Sequence, residues 1–176
     1  FCLPQIWEIA CLQTSTLLLD KTVPAFQAKG FVLQDPLMTE PRKIIIDTDP
    51  GQDDAAALML AFASPGELTL LGITTVAGNV PLRLTSRNAR VVCELCGETE
   101  RRVFEGADRP MVRPLVTAEH VHGKTGLDGA VLPEPTMAVE SQHAVDFIIE
   151  TLRNEPAGTV TLCTLGPLTN IGLALQ

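Results

Sequence analysis

Short runs of β-branched and aliphatic residues alternate along this chain with longer stretches whose apolar positions recur every three or four residues. "KIIIDT" is the first short run and predicts a strand. After a Pro-Gly turn, the apolar stretch predicts a helix from about Asp53 to Ala63, capped by Asp53 or Asp54. That helix is apolar on nearly every side, so deep burial is expected. "ELTLLGITTV" predicts a second strand, and "PLRLTSRNARVVCELC" a second helix with Pro81 in its first turn. A short strand near Arg102 to Glu105 precedes a Gly- and Pro-containing loop from about Gly106 to Val139, too long for a mere connector and therefore a functional candidate. "SQHAVDFIIETLRN" has helical periodicity, with Ala144, Val145, Ile148, Ile149 and Leu152 along one side. "GTVTLCTLG" reads as another strand, and "PLTNIGLALQ" opens a last helix. Strands alternating with helices predict an α/β fold, a mostly parallel open sheet with helices on both faces.

Composition narrows the class. With 176 residues, 45% of them hydrophobic and 19% charged, the chain has the material for a real core and reads as one globular domain or part of one. A formal charge of -8, with thirteen scattered basic residues, argues against a nucleic-acid partner, because phosphate binding needs clustered Lys and Arg. No apolar run is long enough to span a bilayer, so no membrane partner is expected. Five cysteines without a regular framework suit a reducing compartment, and hence a cytoplasmic location. Cys93 and Cys96 form a lone CxxC inside a helix and are expected to share one packed face rather than serve redox or zinc chemistry. Residues 1–37 lack a basic lead before their apolar run and read as a leader or a product of a misplaced start, with the domain proper, 38–176, beginning near Met38.

The chemistry gathers in "IIIDTDPGQDDA", where Asp47, Asp49, Asp53 and Asp54 crowd the passage from strand to helix. In open parallel sheets, ligands bind beyond the carboxyl ends of the strands. Three such ends carry polar loops: "DTDPGQDD", "AGNV" around Asn79 and "TLGPLTN" around Leu165. If these strands are neighbours the loops converge, and a hard divalent cation is the simplest compensation for so many carboxylates. Helix capping accounts for one or two of the aspartates but not all four with the Pro-Gly turn. An EF-hand is excluded, because Gly51 and Gln52 stand at the wrong positions and no Glu closes the loop. A DxDx phosphotransferase motif is matched by Asp47 and Asp49 but fails at Gly51.

"DTDPGQDDA", then "ITTVAGN", "HGKTGLDG" and "TLGPLTNIG", run in order from about Lys43 to Leu175. Together they resemble the N-terminal part of the inosine-uridine preferring nucleoside hydrolase family. The resemblance implies a Rossmann-like hydrolase fold and cleavage of the N-glycosidic bond of ribonucleosides by a calcium-activated water. It implies Ca2+ binding by Asp49, Asp54 and the main-chain carbonyl of Leu165, with Asp49 also the general base. Asp53 and Asn79 match residues that bind the ribose hydroxyls, and His122 one that lines the nucleobase side. Asp47 is expected to orient the loop rather than bind metal, and a zinc site at His120 and His122 is disfavoured because the family's cation prefers oxygen. Family members form dimers or tetramers, and their C-terminal part supplies another metal-binding aspartate, a second histidine and further ribose ligands. By that comparison the sequence is truncated at the C-terminus and holds about half the site. The alternative function is therefore an inactive fragment acting as a metal-binding or partner-dependent α/β module, with apolar surface left exposed.

Overall fold

The computed structural model describes residues 40–129 and 131–176. The expectations for residues 1–37 and for a start at Met38 lie outside the described residues.

Three isoleucines set the layers. In β1 (Arg42–Thr48) successive side chains point to opposite faces. Ile44 and Ile46 enter one core with Leu58, Phe62, Val92 and Cys93, from helices α1 (Gln52–Phe62) and α2 (Leu82–Leu95). Ile45 enters a second core with Phe104, Ala144, Phe147 and Ile148. Helices α4 (Ala144–Asn154) and α5 (Thr169–Ala174) supply that side. The sheet is therefore covered on both faces, as the alternation of elements requires.

Beside β1 lies β2 (Leu68–Thr75), with β3 (Val103–Glu105) beyond it and β4 (Val160–Thr164) on the other flank, giving the order β3-β2-β1-β4. All three pairings are parallel. The chain thus steps outward from β1 to β3 and then returns to the opposite side of β1. That reversal makes the carboxyl ends of β1 and β4 a topological switch point, the place where open parallel sheets bind ligands.

Local chemistry explains several departures from expectation. Helix α1 starts at Gln52 with Gly51 as its cap, so neither Asp53 nor Asp54 is the cap residue. Asp54 instead sits in the first turn and accepts a hydrogen bond from Gly51 N–H at 3.2 Å. Nor is α1 buried all round: Leu60 is 69% exposed, because the sheet and α2 cover only one side. Pro81 precedes α2 as its cap, with an extended ψ of 150°. Cys93 and Cys96 do not share a buried face. The helix ends at Leu95, leaving Cys96 exposed at its cap while Cys93 is buried, with its thiol pushed up to about 12 by burial and the nearby Cys96.

On the other face, Phe147 replaces Leu152 in the packed stripe of α4. Phe147 stacks on Phe104 with ring centroids 3.9 Å apart, while Leu152, near the end of the helix, is 42% exposed. Gly72 makes room for this stack, since a methyl there would lie 2.7 Å from Phe147 Cζ. A bulge between Ile44 and Ile45 skips Leu71 and keeps Gly72 in that register. Among its described residues the 106–139 segment contains a single helical turn, α3 (Glu119–His122), and it is pinned to α2. Arg87 donates to Glu134 at 2.8 Å, and Glu94 accepts from the main chain of Thr136 and Met137, both at 2.6 Å.

Leu58 is fully buried between β1 and α2. Its replacement by alanine is expected to cost about 2–5 kcal/mol through lost transfer energy and the cavity left behind. Urea denaturation measures it, and a loss under about 1 kcal/mol would show that the layer collapses freely around α1.

Candidate active site

The site grows from the last residues of β1. Main-chain pairing carries β1 inward until Asp47, Thr48 and Asp49 are enclosed, Asp49 being only 4% exposed. The Pro-Gly turn then reverses the chain into α1, which brings Asp54 back over the strand end. Thr48 Oγ1 donates to Asp54 Oδ1 at 2.6 Å, tying the two elements together.

Asn79, in the loop after β2, joins both acids. Its N–H donates to Asp49 Oδ2 at 2.7 Å, and its Nδ2 donates to Asp49 O at 3.0 Å and Asp54 Oδ2 at 3.5 Å. The Leu165–Gly166 turn after β4 closes the third side, since a methyl on Gly166 would stand 2.7 Å from Asp49 Oδ1. A methyl on Gly78 would overlap Asp49 Oδ2 itself. Asp49 is therefore held between two glycines, with no room for a side chain on either flank. Asp53 is exposed at the same end of the sheet.

Electrostatics single out Asp49. Burial pushes its carboxyl up to about 6, against a hydrogen bond from Asn79, and the charges of Asp54 and Asp53 push the same way. Burial likewise raises Asp47, although Thr74 and Asn170 donate to it. A carboxylate so placed is poised to take a proton or to share a cation.

His122 arrives from the long loop rather than from a strand end. Its ring packs over the Pro-Gly turn, 2.5 Å from where a methyl on Gly51 would be. Gln52 Nε2 faces His122 O at 3.5 Å, and a carbonyl only accepts, so Oε1 must face His122 Nδ1, 2.6 Å away. Nδ1 therefore carries the hydrogen, and Nε2 is the nitrogen left for a ligand. His120, two residues earlier on one helical turn, is exposed and shares no face with His122. Asn88 of α2 seats this segment, donating to Pro50 O at 3.0 Å and Thr125 O at 2.8 Å.

The structure thus groups Asp49, Asp54, Asn79 and the Leu165 turn, with Asp53 and His122 at the rim. Asn88, Gln52 and the two flanking glycines carry no site role in the sequence reading. Gln52 and the glycines lie inside the motif blocks, and Asn88 lies within the second helix, outside them.

The family model described as inosine-uridine preferring nucleoside hydrolase matches residues 44–176. The chain belongs to that family. Among nucleoside hydrolases, the inosine-uridine preferring enzyme of Crithidia fasciculata is 44% identical over 137 residues. The pyrimidine-specific ribonucleoside hydrolase RihA of Photobacterium profundum is 50% identical over 134. These alignments cover 77% and 76% of this chain and 43% of each relative. The purine-preferring ribonucleoside hydrolase from Gardnerella vaginalis superposes with a TM-score of 0.71 at 33% identity, over 76% of this chain and 43% of its own. The chain thus spans less than half the length of these nucleoside hydrolases.

The donors fit part of a hard-cation sphere. Asp49, Asp54 and the Leu165 turn offer oxygen only, and the enclosed carboxyl of Asp49, raised by burial and further by two neighbouring acids, is the kind of group that a cation relieves. They do not fill it: among the described residues no group of three or more His, Cys, Asp or Glu is placed to hold a metal.

Proposed function

We propose that this chain carries the water-activating half of a ribonucleoside hydrolase site, with Asp49 as general base. The observation that carries the reading is the confinement of Asp49 between Gly78 and Gly166 with its carboxyl raised to about 6. A base poised near working pH combines an open proton site with useful basicity.

In this reading Asp53 and Asn79 hold the ribose hydroxyls while Asp49 takes a proton from the attacking water. The water oxygen bonds to the anomeric carbon as the bond from that carbon to the base nitrogen breaks. The leaving electron pair goes to the base, which is protonated there by solvent or by His122 when its ring carries a second proton on Nε2. The sugar develops positive charge as that bond lengthens, and the surrounding carboxylates stabilise it. Asp49, Asp54 and the Leu165 carbonyl would hold calcium, which when bound compensates the carboxylates and acidifies the water.

A second reading is favoured by the incomplete donor set and the 43% coverage of relatives. The chain alone would then be a metal-binding or partner-dependent α/β module. Reducing-sugar release from inosine and uridine separates the two, using this chain and a version extended to the relatives' length. Calcium-dependent release abolished by a chelator is expected in the extended form. Release by the extended form alone assigns the module role to this chain, and no release from either defeats the hydrolase reading.

A further inference from the structure

We infer that Asn170 is a positioning residue whose carboxamide locks the carboxyl ends of three strands together and, through Asp47, sets the Leu165–Gly166 turn against Asp49. The inference rests on the hydrolase reading of this crevice.

Asn170 lies in α5 and is completely buried. Its Nδ2 donates to Asp47 Oδ1 at 2.8 Å and to Thr75 O at 3.1 Å, and its Oδ1 accepts from Ala107 N at 2.8 Å. Asp47 is the penultimate residue of β1, Thr75 ends β2, and Ala107 lies just past β3. All the bonds of one side chain therefore go to strand ends, where an apolar residue would serve for packing alone.

Asp47 passes the constraint on. Its main-chain oxygen accepts from Leu165 N at 2.8 Å and from Gly166 N at 3.3 Å, while Thr74 Oγ1 shares its Oδ1 at 2.6 Å. The other carboxyl oxygen, Oδ2, is buried without a partner. Loss of the Asn170 donor would leave the Asp47 carboxyl with one hydrogen bond in a dry setting, a costly arrangement. Any shift of Asp47 moves the turn that faces Asp49 and, two residues along, Asp49 itself. Gly106 shows how closely the frame is fitted: a methyl there would overlap Asn170 Oδ1 and stand 2.5 Å from Nδ2.

The isosteric variant N170D tests this, because it makes no cavity and turns one donor into an acceptor facing Asp47 Oδ1 and Thr75 O. Hydrogen–deuterium exchange should show faster exchange in the segment spanning Leu165 and Gly166, with α2 unchanged. In the extended form, kcat should fall about 10–100-fold, more than KM rises, as for residues that orient ligating groups. G106A crowds the same carboxamide from the other side and should reproduce this pattern if N170D does not fold. Unchanged exchange at Leu165 and Gly166, or a lowered melting temperature with parental kcat, overturns the inference. An inactive parent defeats the hydrolase reading instead, and the exchange data still decide the role of Asn170.

Discussion

Replacing Asp49 by asparagine is expected to abolish most nucleoside hydrolysis in the extended form, by about 10²–10⁴-fold in kcat, the usual share of a general base. The same change should stabilise the protein when no divalent cation is present. The folded carboxyl is raised from 3.8 to about 6 by burial, so between these values the native state holds a proton that the unfolded chain has released. Stability from this group therefore falls as pH rises from about 4 to about 6 and stays low above that. The difference amounts to roughly 3 kcal/mol, as a pKa displacement of about two units implies. D49N removes the titration and should flatten that part of the pH-stability curve, although Asp47, also raised by burial, keeps a slope of the same sign. Urea denaturation at pH 5 and pH 7.5 measures both arms. Calcium should stabilise the parent at the higher pH and not D49N. Parental turnover in D49N would remove Asp49 from the chemistry.

Gly78→Ala is expected to damage activity without replacing a reacting group. The added methyl would overlap Asp49 Oδ2 and stand 2.8 Å from Pro167 Cδ, so either the carboxylate or the turn after β4 must move. A displacement near 1 Å at a reacting group costs about 10²-fold in rate. Overpacking of this kind also costs about 1–3 kcal/mol of stability. Removing the obstacle should remove the penalty: in a D49A background, G78A should cost far less stability than in the parent, a coupling that a double-mutant cycle reads directly. Equal costs in the two backgrounds would mean that Asp49 is not what the methyl meets.

Both predictions concern the close fit around one carboxylate, and that fit was only partly legible in the sequence. The four aspartates and the Pro-Gly turn are local, so their crowding at a strand-to-helix passage could be read directly. The glycines of "AGN" and "LGP" were visible as residues but not as walls. Their function depends on β2 and β4 flanking β1, a contact between positions far apart in the chain. The same holds for His122, whose seat over Gly51 is built by Gln52 and Asn88 from two different helices.

By itself the sequence determined the alternation of strands and helices, the parallel α/β class, the family and the acidic loop, because each rests on short-range periodicity or on a contiguous motif. Only the tertiary structure decided that Gly51 rather than an aspartate caps α1, that Leu60 and Leu152 face outward, and that Asn170 joins three strand ends. Those outcomes depend on which face of each helix meets the sheet and on bonds spanning up to 123 residues. Local propensity carries no record of such pairings. Their energies arise once the sheet has brought the partners within hydrogen-bonding distance.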